Sequence, residues 1–159
     1  MNFANEEAIL TKIRQVIETE SPMEAGYLTD KMLAAYCVPR TAKKAVAQIN
    51  AYIAEYESFR KEENGKVFYV DKPVNTFRPV DERVPREIAK IYPDEILAAA
   101  KCAIETAVNI DKEDLIKEVF RLFNVPKRTK SATEWVDSVI ENAISKGDII
   151  VNPEGYCKI

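Results

Sequence analysis

Histidine is absent from all 159 residues. That removes histidine-based catalytic triads, histidine-ligated zinc and the side chain that most often moves protons near neutral pH. Glycine is scarce, at four positions, which leaves almost no room for a glycine-rich phosphate cradle. No apolar run approaches the roughly 20 residues of a membrane span. The opening Met1-Asn2-Phe3-Ala4-Asn5-Glu6-Glu7 has neither the basic stretch nor the apolar core of a signal peptide. Cys37, Cys102 and Cys157 are odd in number, far apart and without a Cys-x-x-Cys pair. They read as reduced thiols acting as small hydrophobes. Cys37, three residues before Arg40, is the least poor candidate for a reactive thiol. No cofactor, metal or membrane is expected, and the location expected is cytoplasmic.

What is present suits a globular chain. Apolar residues make up 47% and charged residues 31%, ordinary values for a protein with a packed core. Lys and Arg number 23 against 26 Asp and Glu, for a net charge of -3.

Shifted by 87 residues, the sequence falls on itself. Ile9-Leu10 lands on Ile96-Leu97, Ile17-Glu18-Thr19 on Ile104-Glu105-Thr106, and Val38-Pro39 on Val125-Pro126. Leu28 meets Leu115, Tyr36 meets Phe123, and Ile53 meets Ile140. Two copies of one unit are expected, residues 3–70 and 93–159, joined by a structured Pro/Arg-rich strap over 71–92. Copies of this size have marginal cores alone, so each is expected to pack on the other or on the strap.

Each copy reads as three helices and a hairpin. In the first, Ile9, Ile13, Val16 and Ile17 mark one helical face, with Asn5 as N-cap. A second helix carries Leu28, Met32 and Tyr36. Pro39 forces a turn, and a third helix over about 41–57 buries Ile49, Tyr52, Ile53 and Tyr56. Asn64-Gly65 then closes a hairpin. In the second copy Pro93 opens a helix and Asp111 caps the next. Ser131 with Glu134 forms a capping-box pattern for the third. Asn152-Pro153-Glu154-Gly155 turns the closing hairpin. The fold class expected is mainly α with small β-hairpins (α+β): two tandem winged helix-turn-helix repeats.

A family resemblance rests on the middle of the chain. The stretches Phe77-Arg78, Arg83-Val84-Pro85-Arg86-Glu87-Ile88 and Ile91-Tyr92-Pro93-Asp94-Glu95-Ile96 carry it, with Asp114-Leu115-Ile116 and Phe123-Asn124-Val125-Pro126-Lys127-Arg128. Together they resemble a bacterial domain of unknown function found at the C-terminal end of large superfamily I DNA helicases. The match is densest over 77–128. The helicase motor is missing, since no Gly-x-x-x-x-Gly-Lys-Ser/Thr loop occurs. The resemblance therefore implies a helicase-associated accessory module, and it transfers no catalytic residue.

In a winged helix the third helix reads the groove and the wing touches the backbone. Both third-helix starts are basic here: Arg40, Thr41, Lys43 and Lys44 in the first copy, Lys127, Arg128, Lys130 and Ser131 in the second. Thr129 adds a hydroxyl. No acid occurs over 38–54 or 119–132. Arg60, Lys61 and Lys66 sit on the first wing, beside Glu62 and Glu63. The second wing has no cation at its tip. Arg78, Arg83 and Arg86 on the strap either extend a basic track or pair with acids. The carboxylates Asp111, Glu113 and Asp114, and Glu62 with Glu63, read as helix caps and wing surface rather than catalytic pairs. The aromatics Tyr27, Tyr36, Tyr52, Tyr56 and Trp135 read as core. Two functions stay open: a non-enzymatic module contacting nucleic acid, and a protein-interaction module docking a helicase or nuclease partner. Overall acidity disfavours long-range steering to DNA away from the patches.

Overall fold

The computed structural model describes residues 5–82 and 86–159. The fold is α+β, with six α-helices and small antiparallel sheets among the described residues. The chain divides into two compact units between Pro73 and Val74.

The first unit begins with α1 (Glu6–Glu20), which Asn5 caps by accepting from the Ala8 N–H at 3.1 Å. Ile9, Ile13, Val16 and Ile17 recur at the helical period and are buried. Their partners are Leu28, Met32 and Leu33 from α2 (Ala25–Ala35) and Ala45, Ile49 and Ile53 from α3 (Lys43–Ala54). Full burial of one such side chain contributes about 1.5–3 kcal/mol, so this apolar cluster holds the three helices together. The Tyr56 hydroxyl donates to the Leu10 carbonyl at 2.6 Å, tying the segment after α3 to α1. The third helix is shorter than its apolar pattern suggests. It stops at Ala54, and a 3₁₀ turn at Glu57–Phe59 leads into the sheet.

That sheet joins β1 (Met23–Glu24), β2 (Arg60–Glu63) and β3 (Lys66–Tyr69) in the order β1-β3-β2. Asn64 and Gly65 both have positive φ, 49° and 77°. A two-residue turn of that kind fits the twist of a hairpin, and glycine adopts it without steric cost. β1 has no counterpart in the sequence reading, because two residues are too few to show an alternation.

The second unit folds its leading segment onto its own core. The Val80 N–H donates to the Phe123 carbonyl at 3.0 Å, and the Phe77 ring meets Phe123 edge-on at 5.4 Å. Ile88, Ile91 and Tyr92 are buried. The helices are α4 (Pro93–Thr106), α5 (Lys112–Leu122) and α6 (Lys130–Lys146). Asp111 caps α5 by accepting from the Asp114 N–H at 2.9 Å. Gly147, at φ 80°, closes α6 in the left-handed conformation that glycine tolerates best. A hairpin of β4 (Ile150–Val151) and β5 (Cys157–Lys158) follows.

The cap of α6 differs from the sequence reading. Thr129, in extended conformation, accepts from the Ala132 N–H at 3.2 Å. Ser131 therefore lies inside the first turn, and its pattern with Glu134 is not the cap. Thr129→Ala is expected to cost about 1 kcal/mol, read as a lowered unfolding midpoint, while Ser131→Ala stays within about 0.5 kcal/mol.

The helices of the second unit start 87 positions after those of the first: Glu6 and Pro93, Ala25 and Lys112, Lys43 and Lys130. The turns after α2 and α5 correspond as well. Cys37 and Asn124 carry φ of 53° and 59°. The Val38 N–H bonds to the Leu33 carbonyl at 2.8 Å, as that of Val125 bonds to Phe120 at 3.0 Å.

Candidate nucleic-acid interface

The α2–α3 corner presents Arg40, Thr41, Lys43 and Lys44, all exposed. Arg40 is already engaged. Its Nε donates to Asp30 at 2.6 Å and one terminal nitrogen donates to the Gly26 carbonyl at 3.3 Å. Asp30 precedes Arg40 by ten residues, one helix earlier, so a scan for local acids passes over it. α3 has no side-chain cap; Ala42 stands at the cap position. Beside Arg40 lies a depression of about 320 Å³ lined by Thr29, Asn50 and Tyr69. There the Thr29 hydroxyl donates to Asn50 Oδ1 at 2.8 Å.

The α5–α6 corner presents Lys127, Arg128, Thr129, Lys130 and Ser131, again all exposed. Lys127 and Arg128 make no ion pair with any described residue. Lys130 lies 3.9 Å from Glu134, one helical turn on, with its side chain 91% exposed; a pair that open contributes little. Arg128 also borders a depression of about 430 Å³, shared with Lys117, Arg121, Phe120, Val125 and Pro126. Lys117 is paired with Glu113 and Asp114 at 3.3 and 3.1 Å. Arg121 Nε donates to Glu118 at 2.9 Å, and that hydrogen bond holds the Glu118 carboxyl below its ordinary range.

The first hairpin is mixed in sign. Arg60 bonds Glu62 at 3.3 Å, Lys61 is exposed, and Lys66 pairs in register with Glu63. The second hairpin exposes the apolar Ile150, Val151 and Ile159, with Glu154 exposed at its turn.

Of the strap arginines, Arg78 and Arg86 converge on one buried carboxylate instead of forming an open basic track. Glu95, 1% exposed, accepts from the Arg78 backbone N–H and Nε at 3.1 Å and from its Nη2 at 3.0 Å. Arg86 Nη1 donates to the same carboxylate at 2.7 Å. Arg83 lies outside the described residues. Glu95 looked like an ordinary acid in a first helical turn; instead it anchors the strap to α4.

The carboxylates weighed as catalytic pairs have structural partners: Asp111 caps α5, and Glu113 and Asp114 hold Lys117. Among the described residues no group of three or more Cys, Asp or Glu side chains is placed to hold a metal ion. The cysteines are free thiols, and burial pushes the Cys157 thiol up from its usual range. Trp135 is buried and donates its indole N–H to the Ile91 carbonyl at 2.9 Å. Tyr27, Tyr36, Tyr52 and Tyr56 are half-buried. No described helix is long and apolar enough to cross a membrane.

No protein-family model, curated protein or solved structure matches the chain.

Proposed function

We propose that this chain is a non-catalytic, helicase-associated module of two tandem winged helix-turn-helix units that contacts DNA through the starts of α3 and α6. The observation that carries the reading is the pair of basic helix starts. Lys43 and Lys130 open α3 and α6, and both are exposed. Each helix N-terminus adds unpaired N–H groups and a positive dipole end, which suit phosphate oxygens. The winged-helix reading draws support from the shared order of three helices and a hairpin, and from the 87-residue spacing of helix starts. Lys44, Lys127 and Arg128 supply further phosphate contacts, and Arg40 joins them on leaving Asp30. The hydroxyls of Thr41 and Ser131 lie beside these cations. Arg60, Lys61 and Lys66 give the first wing a weaker role, because Glu62 and Glu63 offset them.

The second reading is protein docking to a helicase or nuclease partner. Ile150, Val151 and Ile159, exposed on the second hairpin, favour it.

Fluorescence anisotropy with labelled duplex and single-stranded DNA separates the two. Phosphate contacts predict at least tenfold weaker binding between about 50 and 200 mM salt. The Lys43→Glu/Lys130→Glu protein should lose binding by about tenfold or more, while Ile150→Ser leaves it unchanged. No binding at low salt, with a partner interaction abolished by Ile150→Ser, selects docking instead.

A further inference from the structure

The α2–α3 and α5–α6 corners correspond in backbone but differ in charge. Where the second has Lys117, Arg121 and Arg128, the first has Asp30, Ala34 and Thr41 at the 87-residue spacing. Asp30 consumes Arg40 at 2.6 Å. At the position of Asp30 the second corner carries Lys117, so Lys127, the counterpart of Arg40, has no acid at that place in the sequence. The first corner thus has Arg40 engaged by an acid, while in the second Lys117 and Arg121 are paired with acids of α5 and Lys127 and Arg128 make no ion pair with a described residue.

The depression that Arg128 borders is lined by apolar and cationic side chains together. Phe120, Val125 and Pro126 supply the apolar part, and Lys117, Arg121 and Arg128, with Asn124, the polar part. Its volume of about 430 Å³ falls within the roughly 300–1,000 Å³ of pockets that take small ring ligands. The hydrogen bond from the Val125 N–H to the Phe120 carbonyl holds the lining in place. Glu113, Asp114 and Glu118 engage Lys117 and Arg121 from the outer face of α5. Arg128 has no such acid and remains available. A guanidinium offers both a planar face for stacking and donors for phosphate. Paired bases are stacked inside a duplex and offer no ring face to such a hollow. An unpaired base can leave the stack and enter it.

We propose that the α5–α6 depression seats an unpaired nucleobase against Val125 and Pro126, with the flanking phosphates on Lys127 and Arg128. The second unit then selects DNA carrying single-stranded ends over blunt duplex. This rests on the nucleic-acid reading above and specifies its substrate. The first corner, with Asp30, Ala34 and Thr41 in these places, contributes backbone affinity without that selection.

The test compares one blunt duplex with the same duplex carrying an overhang of about ten thymidines, using the full chain and anisotropy. The wild type should favour the overhang by about five- to tenfold, the low end of what a base stacked on an aromatic ring contributes, because the seat here is aliphatic and guanidinium. Arg121→Ser/Arg128→Ser should reduce that preference to within about twofold. Both residues are exposed, and an unchanged Trp135 emission checks that the fold is intact. Lys43→Glu should weaken both DNAs alike and leave the ratio standing. Equal wild-type affinity for the two DNAs overturns the base seat while leaving the nucleic-acid reading intact. Absence of binding to either DNA overturns both. Displacement of the overhang DNA by poly-glutamate as readily as by oligo-thymidine overturns it in favour of an acidic peptide.

Discussion

Glu95→Ala is expected to destabilise the second unit by about 3–5 kcal/mol, the cost of leaving a buried charge without its partner. Unfolding free energies of single domains are about 5–15 kcal/mol, so this one substitution removes a large share of what holds the unit together. The cause is the geometry around one carboxylate. Glu95 is 1% exposed and accepts hydrogen bonds from Arg78 and Arg86, whose side chains are 37% and 9% exposed. Removing the carboxylate leaves the largely buried Arg86 with the Arg78 carbonyl but without its counter-charge, and releases the segment that carries Phe77 and Val80 onto Phe123. Arg86 Nε has no hydrogen-bond partner even in the intact protein, so the site has little means of absorbing a further loss. Glu95→Gln keeps one acceptor oxygen and should fall between wild type and alanine. Replacing Arg78, Arg86 and Glu95 together by apolar residues should recover more than half of the loss, since a buried ion cluster owes much of its apparent worth to the penalty for breaking it. Urea unfolding followed by Trp135 emission measures all three proteins. A Glu95→Ala loss below about 1 kcal/mol, the size expected of a surface pair, would show that the cluster does not anchor the strap.

The sequence made some of these elements readable and hid others, and the division follows the range of the forces. α1 was legible because Ile9, Ile13, Val16 and Ile17 recur at the period that buries one face, and Asn5 caps it with its own side chain. The first hairpin was legible because Asn64-Gly65 meets a local backbone requirement. The α6 cap was misplaced by two residues. Thr129 and Ser131 are both competent hydroxyls, and only the extended backbone at Thr129 decides between them. Glu95 and Asp30 were missed for another reason. Their partners lie 17, 9 and 10 residues away, and no periodicity links them. Of the candidate site, the exposed cations at both helix starts stand where the pattern put them. Their electrostatic inequality arises from pairing between elements, which the linear sequence does not display.

Trp135→Ala is expected to lower stability by about 3–5 kcal/mol, the range for a large aromatic removed from a core. Trp135→Phe should cost about 1–3 kcal/mol, because the ring volume is mostly kept while the buried Ile91 carbonyl loses its donor. The separation of the two values tests the 2.9 Å indole bond apart from packing. Trp135 sits in the second turn of α6, five residues after Lys130, and ties that helix to the 3₁₀ turn at Ile88–Lys90 through Ile91. The turn of α6 before it presents Lys130 to solvent. Trp135→Phe therefore leaves every proposed DNA-contacting cation in place, and a protein still folded should bind with near wild-type affinity. Trp135→Ala loosens the seat of α6 against the strap, so binding should fall as temperature rises and in step with unfolding. Anisotropy across a temperature series, paired with circular dichroism on the same samples, separates the two variants. If Trp135→Phe abolished binding while its unfolding midpoint was unchanged, the indole would belong to the DNA contact and not to the frame that holds α6.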